Sequence, residues 1–107
     1  MIQYRTEKDS LGEKKVPATA YYGVQTQRAV ENFPVSGLRF GRRLLRALAL
    51  IKKACAEENL ARQALPADLG AAVVRAAQEA ADGALDAHFP VDVFQTGSAT
   101  STNMNMN

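Results

Sequence analysis

Residues Phe94 to Asn107 read "FQTGSATSTNMNMN" and carry no charge at all. Gly97 lies between the hydroxyl residues Thr96 and Ser98, and Thr100, Ser101 and Thr102 follow at once. Glycine allows backbone shapes that expose N–H groups, and hydroxyls add rotatable donors. A helix beginning near Ser101 would add unsatisfied N–H groups and a positive dipole end, which favour an anion. On that helix Asn103 and Asn107, four apart, share one face, and Asn105 points elsewhere. Such a stretch suits a carboxylate better than a cation. The residues by themselves leave a second reading open, that of a polar terminal tail.

Working outward, "FPVDVF" (Phe89–Phe94) is the one stretch that alternates like a strand, and it is too short for a sheet by itself. Upstream lie two helices. Residues 42–61 repeat Leu44, Leu48, Ile51 and Cys55 at helical spacing, with Leu45 and Ala49 widening the stripe. Arg42, Arg46, Lys53 and Glu57 take the other side. Gln63 to Asp68, with Pro66, marks a break. A helix over about 67–83 follows, with Leu69, Val73, Ala76 and Ala80 inward, Arg75, Gln78, Glu79 and Asp82 outward, and Gly83 as its stop. Many alanines on both permit close approach. Residues 34–41 form a loop. A short helix is expected through Tyr21, Tyr22, Val24 and Val30, ending near Asn32, with Pro17 in a position that suits a first helical turn. Residues 1–16 are charged and aperiodic, with a turn at Ser10-Leu11-Gly12, and read as an extended arm that packs on something else. The fold class is mainly α, one domain over 1–107, without internal repeat.

Composition excludes several classes. The chain of 107 residues is 47% hydrophobic and 22% charged, which argues against disorder. A net charge of +2 does not demand nucleic acid. Cys55 is the only cysteine, so no intrachain disulfide forms; a reducing, cytoplasmic setting and a buried, inert thiol are expected. No secretory signal is expected from the charged N-terminus, and no run approaches ~18 consecutive apolar residues, so no membrane span is expected.

Other candidate chemistry is thin. Arg39, Arg42, Arg43 and Arg46 crowd a helix start, where positive charge opposes the dipole, so something should compensate. They read as a solvated face or subunit contact rather than a nucleic-acid surface, since no aromatics interleave. His88 is the only histidine, beside Asp86, and reads as a turn residue; one Cys and one His cannot close a zinc site. Asp92 is the sole acid in the last twenty residues, so no local carboxylate pair is available for acid–base work.

"FQTGSATSTNMNMN" resembles the first conserved block of the fumarase/aspartase superfamily in its class II fumarase form. There Gln-Thr-Gly-Ser-Gly-Thr is followed by a variable pair and Asn-Met-Asn. "EKDSLGEKKVPATAYYGVQTQRAVENFPVSG" (Glu7–Gly37) looks like that family's N-terminal arm and first helix, and "ALALIKKACAEEN" (Ala47–Asn59) matches its next helix. Aspartases usually show Gly-Gly-Ala at Thr96-Gly97-Ser98 and His-Thr-Leu-Arg at Gln25-Thr26-Gln27-Arg28, so both places favour fumarase. Ala99 departs from a frequent Gly, and Ser101 from a frequent Gln. Ala at a positive φ would cost on the order of 1 kcal/mol or more, so Ala99 is expected in an ordinary backbone region or in a slightly altered loop.

The resemblance implies reversible hydration of fumarate to L-malate in the tricarboxylic acid cycle, without metal or organic cofactor. It implies the N-terminal helical domain of the L-aspartase-like fold, lacking the central helical bundle, from a homotetramer in which three subunits contribute to each site. Ser98, Ala99 and Thr100 are then substrate-binding, Thr96 and Asn103 secondary contacts, and no residue here is catalytic. The partner is a dicarboxylate, with neither nucleic acid nor membrane. The resemblance also implies that the chain continues past Asn107 into a helix, and that the 107 residues alone are inactive. The rivals are aspartate ammonia-lyase in the same superfamily and, in another class, a small helical binding module using the Arg39–Arg46 face.

Overall fold

The structure, a computed structural model, describes residues 1–107. They form two compact units, Met1–Phe40 with Ala87–Asn107, and Gly41–Asp86. The chain is mainly α, 53% helical, with one small two-stranded sheet.

The sheet lies where no strand is expected. β1 (Tyr4–Asp9) pairs antiparallel with β2 (Gly12–Pro17), from Tyr4 opposite Pro17 to Asp9 opposite Gly12. Ser10-Leu11 makes the turn, helped by Gly12 at φ +112° and by the Asp9 carboxylate, which accepts the Leu11 N–H at 2.9 Å. The alternation is real but charged. On β1 the half-buried residues are Arg5, Glu7 and Asp9, so hydrophobic periodicity does not detect the strand. "FPVDVF", expected to alternate as a strand, contributes only a single bridge between Arg39 and Asp92.

α1 spans Val24–Asn32, so Tyr21 and Tyr22 precede the helix, and Pro17 closes β2 instead of opening a helical turn. The charged arm packs on this region of its own chain. The Arg5 guanidinium donates to the carbonyls of Pro17, Ala18, Ala20 and Tyr22 at 2.8–3.2 Å and to the Glu7 carboxylate at 2.6 Å. Glu7 in turn accepts the N–H of Val24, the first residue of α1, at 3.1 Å. A carboxylate there satisfies an orphan donor and complements the dipole. Gly23 leaves room for the approach: a Cβ would stand 2.9 Å from Glu7 Oε1. Arg28 forks onto Asp9 with two 2.9 Å bonds and reaches the Gly12 carbonyl. The Arg28 hydrogen bond holds the Asp9 carboxyl below its ordinary range. Val16, Val24, Ala29, Phe89 and Val91 are the buried apolar residues of this unit.

In the other unit α2 (Arg42–Ala61) and α3 (Ala67–Ala81) fall close to the expected bounds, joined by a turn with Gln63 at φ 58° and Ala64 N–H on Asn59 O. Their facing sides differ from expectation in part, since Leu45 and Ala49, which widen the expected α2 stripe, are buried. Leu45, Ala49 and Ala56 of α2 and Gly70, Ala77, Ala80 and Ala81 of α3 are buried. Leu44, Ile51, Cys55, Leu69, Val73 and Ala76 are exposed, leaving Ala80 as the buried member of the expected α3 stripe. Small residues win the contact because they let the backbones approach; a Cβ on Gly70 would lie 2.1 Å from Leu60 Cδ2. Lys53 and Gln78, expected outward, bridge the helices at 2.7 Å. Cys55 is thus not the buried thiol that its apolar surroundings suggest.

The arginine cluster finds its compensation at the end of α3. Arg42 donates to the carbonyls of Ala80 and Ala81 at 2.9 and 3.0 Å and pairs with Asp86, and Arg46 reaches Ala81 O at 3.1 Å. Cations belong at a helix C-terminus, where carbonyls lack intrahelical partners. Gly83, at φ +93°, carries the chain out of α3.

Candidate functional site

The polar closing stretch is held from below by Asp92, which is buried to 6% exposure. Its carboxylate accepts the N–H groups of Ser36 (2.8 Å), Gly37 (2.7 Å) and Phe94 (2.8 Å) and the Ser36 hydroxyl (2.9 Å). The Phe94 N–H, with those of Ser36 and Gly37, lowers its pKa to about 2, more than offsetting the opposite effect of burial. Asp92 is therefore a fixed acceptor that ties the 36–39 loop to the segment before the turn, where Val93 N–H also binds Leu38 O at 3.1 Å.

Beyond Asp92, a short 3-10 turn over Gly97–Ala99 leads into α4 (Thr100–Met106). Ser98 (φ 63°, ψ 15°) and Ala99 (φ 55°, ψ 34°) are both left-handed. The expectation of an ordinary backbone at Ala99 is thus corrected: the position is the kind glycine fills without strain, and alanine occupies it at a cost on the order of 1 kcal/mol. Left-handed Ala99 followed by right-handed Thr100 is an alternation that turns consecutive N–H groups toward one side, a concavity suited to anions.

Ser98 and Thr100 are exposed and flank the half-buried Ala99 on this turn. Thr96 is exposed and its hydroxyl lies 3.2 Å from that of Ser101. Asn103 and Asn107 are exposed, and Asn105 points elsewhere, donating to His88 O at 3.0 Å. Asn105 Oδ1 is buried without a partner. His88 is not at the turn. Its Nδ1 accepts the Tyr21 N–H at 3.2 Å, which places the ring proton on Nε2, and its ring meets Tyr21 edge-on at 4.7 Å. No three His, Cys, Asp or Glu side chains converge as a metal site.

Two residues were missed by sequence reasoning. Gln95 Oε1 accepts the Thr102 N–H at 3.0 Å, and Gln95 Nε2 donates to Thr102 Oγ1 at 2.7 Å and to Asp92 O at 2.9 Å. Thr102 is buried. A seven-residue spacing across a chain reversal leaves no periodic signal. The one available hint is that an amide can serve a donor and an acceptor at once.

A family model described as lyase matches residues 12–107, and the chain belongs to that lyase family. It is 59% identical over 104 residues to the class II fumarate hydratase of Halobacterium salinarum, covering 97% of this chain and 22% of that protein. Among solved structures it is similar to a fumarate lyase:delta crystallin from Brucella melitensis, with TM-score 0.92, 48% identity, and 97% of this chain and 23% of that one covered. The recombinant class II fumarase of Schistosoma mansoni superposes with TM-score 0.92 at 38% identity, covering 97% and 22%. The chain thus spans about a fifth of the length of the curated relatives it matches. No helix is long and apolar enough to cross a membrane.

Proposed function

We propose that the protein carrying this chain is a fumarate hydratase, adding water reversibly across the double bond of fumarate to give L-malate. The observation that carries this reading is the left-handed Ser98-Ala99 turn, which sets two exposed hydroxyls and the Ala99 backbone together. Its support is the 59% identity to a class II fumarate hydratase over nearly the whole chain. The Ser98 and Thr100 hydroxyls and the Ala99 N–H then bind one substrate carboxylate. Proton removal next to a carboxylate builds charge on its oxygens, and fixed donors stabilise that charge more than mobile water does. Thr96 and Asn103 are secondary contacts. In this reading the 107 residues are the N-terminal lyase domain, they supply one wall of the site, and the base comes from outside them. The enzyme is taken to be a homotetramer of the tricarboxylic acid cycle in the cytoplasm, working without cofactor.

The test is to express the complete reading frame and follow fumarate by its ultraviolet absorbance. Fumarate hydration is expected, and the 107 residues alone are expected to be inactive. Ser98→Ala and Thr100→Val should each lower kcat/KM about ten- to a hundredfold. Unchanged kinetics would remove the turn from the site. Turnover that requires ammonium would move the activity to aspartate ammonia-lyase.

A further inference from the structure

We propose that Gln95 is a positioning residue for the dicarboxylate site, a role that rests on the hydratase reading above. Ser98 and Ala99 are consecutive non-glycine residues held at positive φ, and the chain does not adopt that pair unaided. Nothing in their own side chains imposes it: Ser98 and Thr100 are exposed, and Thr100 Oγ1 lies a long 3.5 Å from Gly97 O. The constraint comes from the two ends of the turn. Gln95 spans them, gripping Thr102 by both its N–H and its hydroxyl and binding Asp92 O at the same time. Thr102 is 3% exposed and Asp92 is anchored to Ser36 and Gly37, so both grips rest on fixed points. With its ends fixed seven residues apart, the intervening backbone reverses within Thr96–Ser101, and the left-handed pair makes the reversal. The Gln95 amide bonds to Asp92 O and to Thr102, and it acts through the turn that carries Ser98, Ala99 and Thr100.

The mechanism is tested with the protein expressed from its complete reading frame. Gln95→Met keeps the side-chain length and removes all three hydrogen bonds. It should raise KM for fumarate about tenfold while kcat changes less than about threefold, with faster backbone hydrogen exchange over residues 96–102. Gln95→Glu keeps the acceptor for Thr102 N–H and should fall between Met and the natural residue, which also covers the case in which the Met variant does not fold. Ala99→Gly removes the penalty of the left-handed position, so adding it to Gln95→Met should recover about fivefold of the lost KM. Normal KM and normal exchange in Gln95→Met would overturn the proposal. A loss that Ala99→Gly leaves untouched would also overturn it, because the amide would then act by another route. Failure of the natural protein to hydrate fumarate would defeat the hydratase reading and the positioning role with it, whereas the exchange rates judge the clamp on its own.

Discussion

In the unit formed by Met1–Phe40 and Ala87–Asn107, the half-buried face of the first strand is Arg5, Glu7 and Asp9; in Gly41–Asp86 the contact faces of both helices are mainly alanine, with Gly70 and Leu45. The first unit is held by directional bonds. Arg5 collects four carbonyls, Arg28 forks onto Asp9, and Asp92 gathers three backbone N–H groups. The second is held by close approach of small side chains around Leu45, with Leu44, Leu50, Ile51, Leu69 and Val73 exposed. Directional bonds fix backbone position finely, which is what a donor-bearing turn needs. Small-residue packing fixes only the separation of two helices.

The contrast can be broken most severely at Gly70. Gly70→Ala should destabilise the helical unit by about 1–3 kcal/mol in urea unfolding, because Leu60 has to move, whereas Gly41→Ala, with open space around it, should cost only the weaker N-cap of α2, less than about 1 kcal/mol. An equal effect at the two glycines would mean that the helices are not closely packed.

Acid should act on the other unit. The folded-state pKa of Asp92 lies at about 2 against 3.8 for an unconstrained carboxyl. The unfolded chain therefore binds more protons in that window, and the stability from Asp92 is full above pH 3.8 and lost as pH falls through about 2. Asp9, also depressed, acts in the same direction. Melting temperature should fall by several degrees across this range, and Asp92→Asn should flatten the slope while lowering stability at neutral pH. Hydrogen exchange should show the 36–39 and 92–94 amides opening first.

The smallest effect sharpens the exception, an ionic contact inside the helical unit. Arg42→Met should cost about 0.5–1 kcal/mol by removing the cation from the C-terminal carbonyls of α3, against less than about 0.5 kcal/mol for exposed Arg43→Met. Chemical denaturation of the two variants side by side decides it.

Legibility in the sequence follows the same division. The bounds of α2 and α3 could be read from periodicity, Pro66 and Gly83, because long amphipathic segments with stop signals are local facts. Their packing faces could be read only at Leu45, Ala49 and Ala80, since the longer Leu and Ile stripe is not the one that the neighbouring helix selects. The hairpin was hidden because its inner residues are charged. At the site, Ser98, Ala99 and Thr100 came from a family resemblance, and the residues alone left tail and anion site both open. Gln95 and Thr102 gave no local sign.

By itself the sequence determined that the chain is mainly α, where its two long helices lie, and that its closing stretch is uncharged and rich in donors. Those properties depend on composition and on spacings of three or four residues. The tertiary structure alone decided that Arg5, Glu7 and Asp9 face inward, that Arg42 and Arg46 serve the end of α3, and that Ser98 and Ala99 stand left-handed. Each of these depends on partners distant in the chain. A buried or half-buried polar group takes whichever partner the fold brings within hydrogen-bond reach, and sequence spacing does not encode that choice.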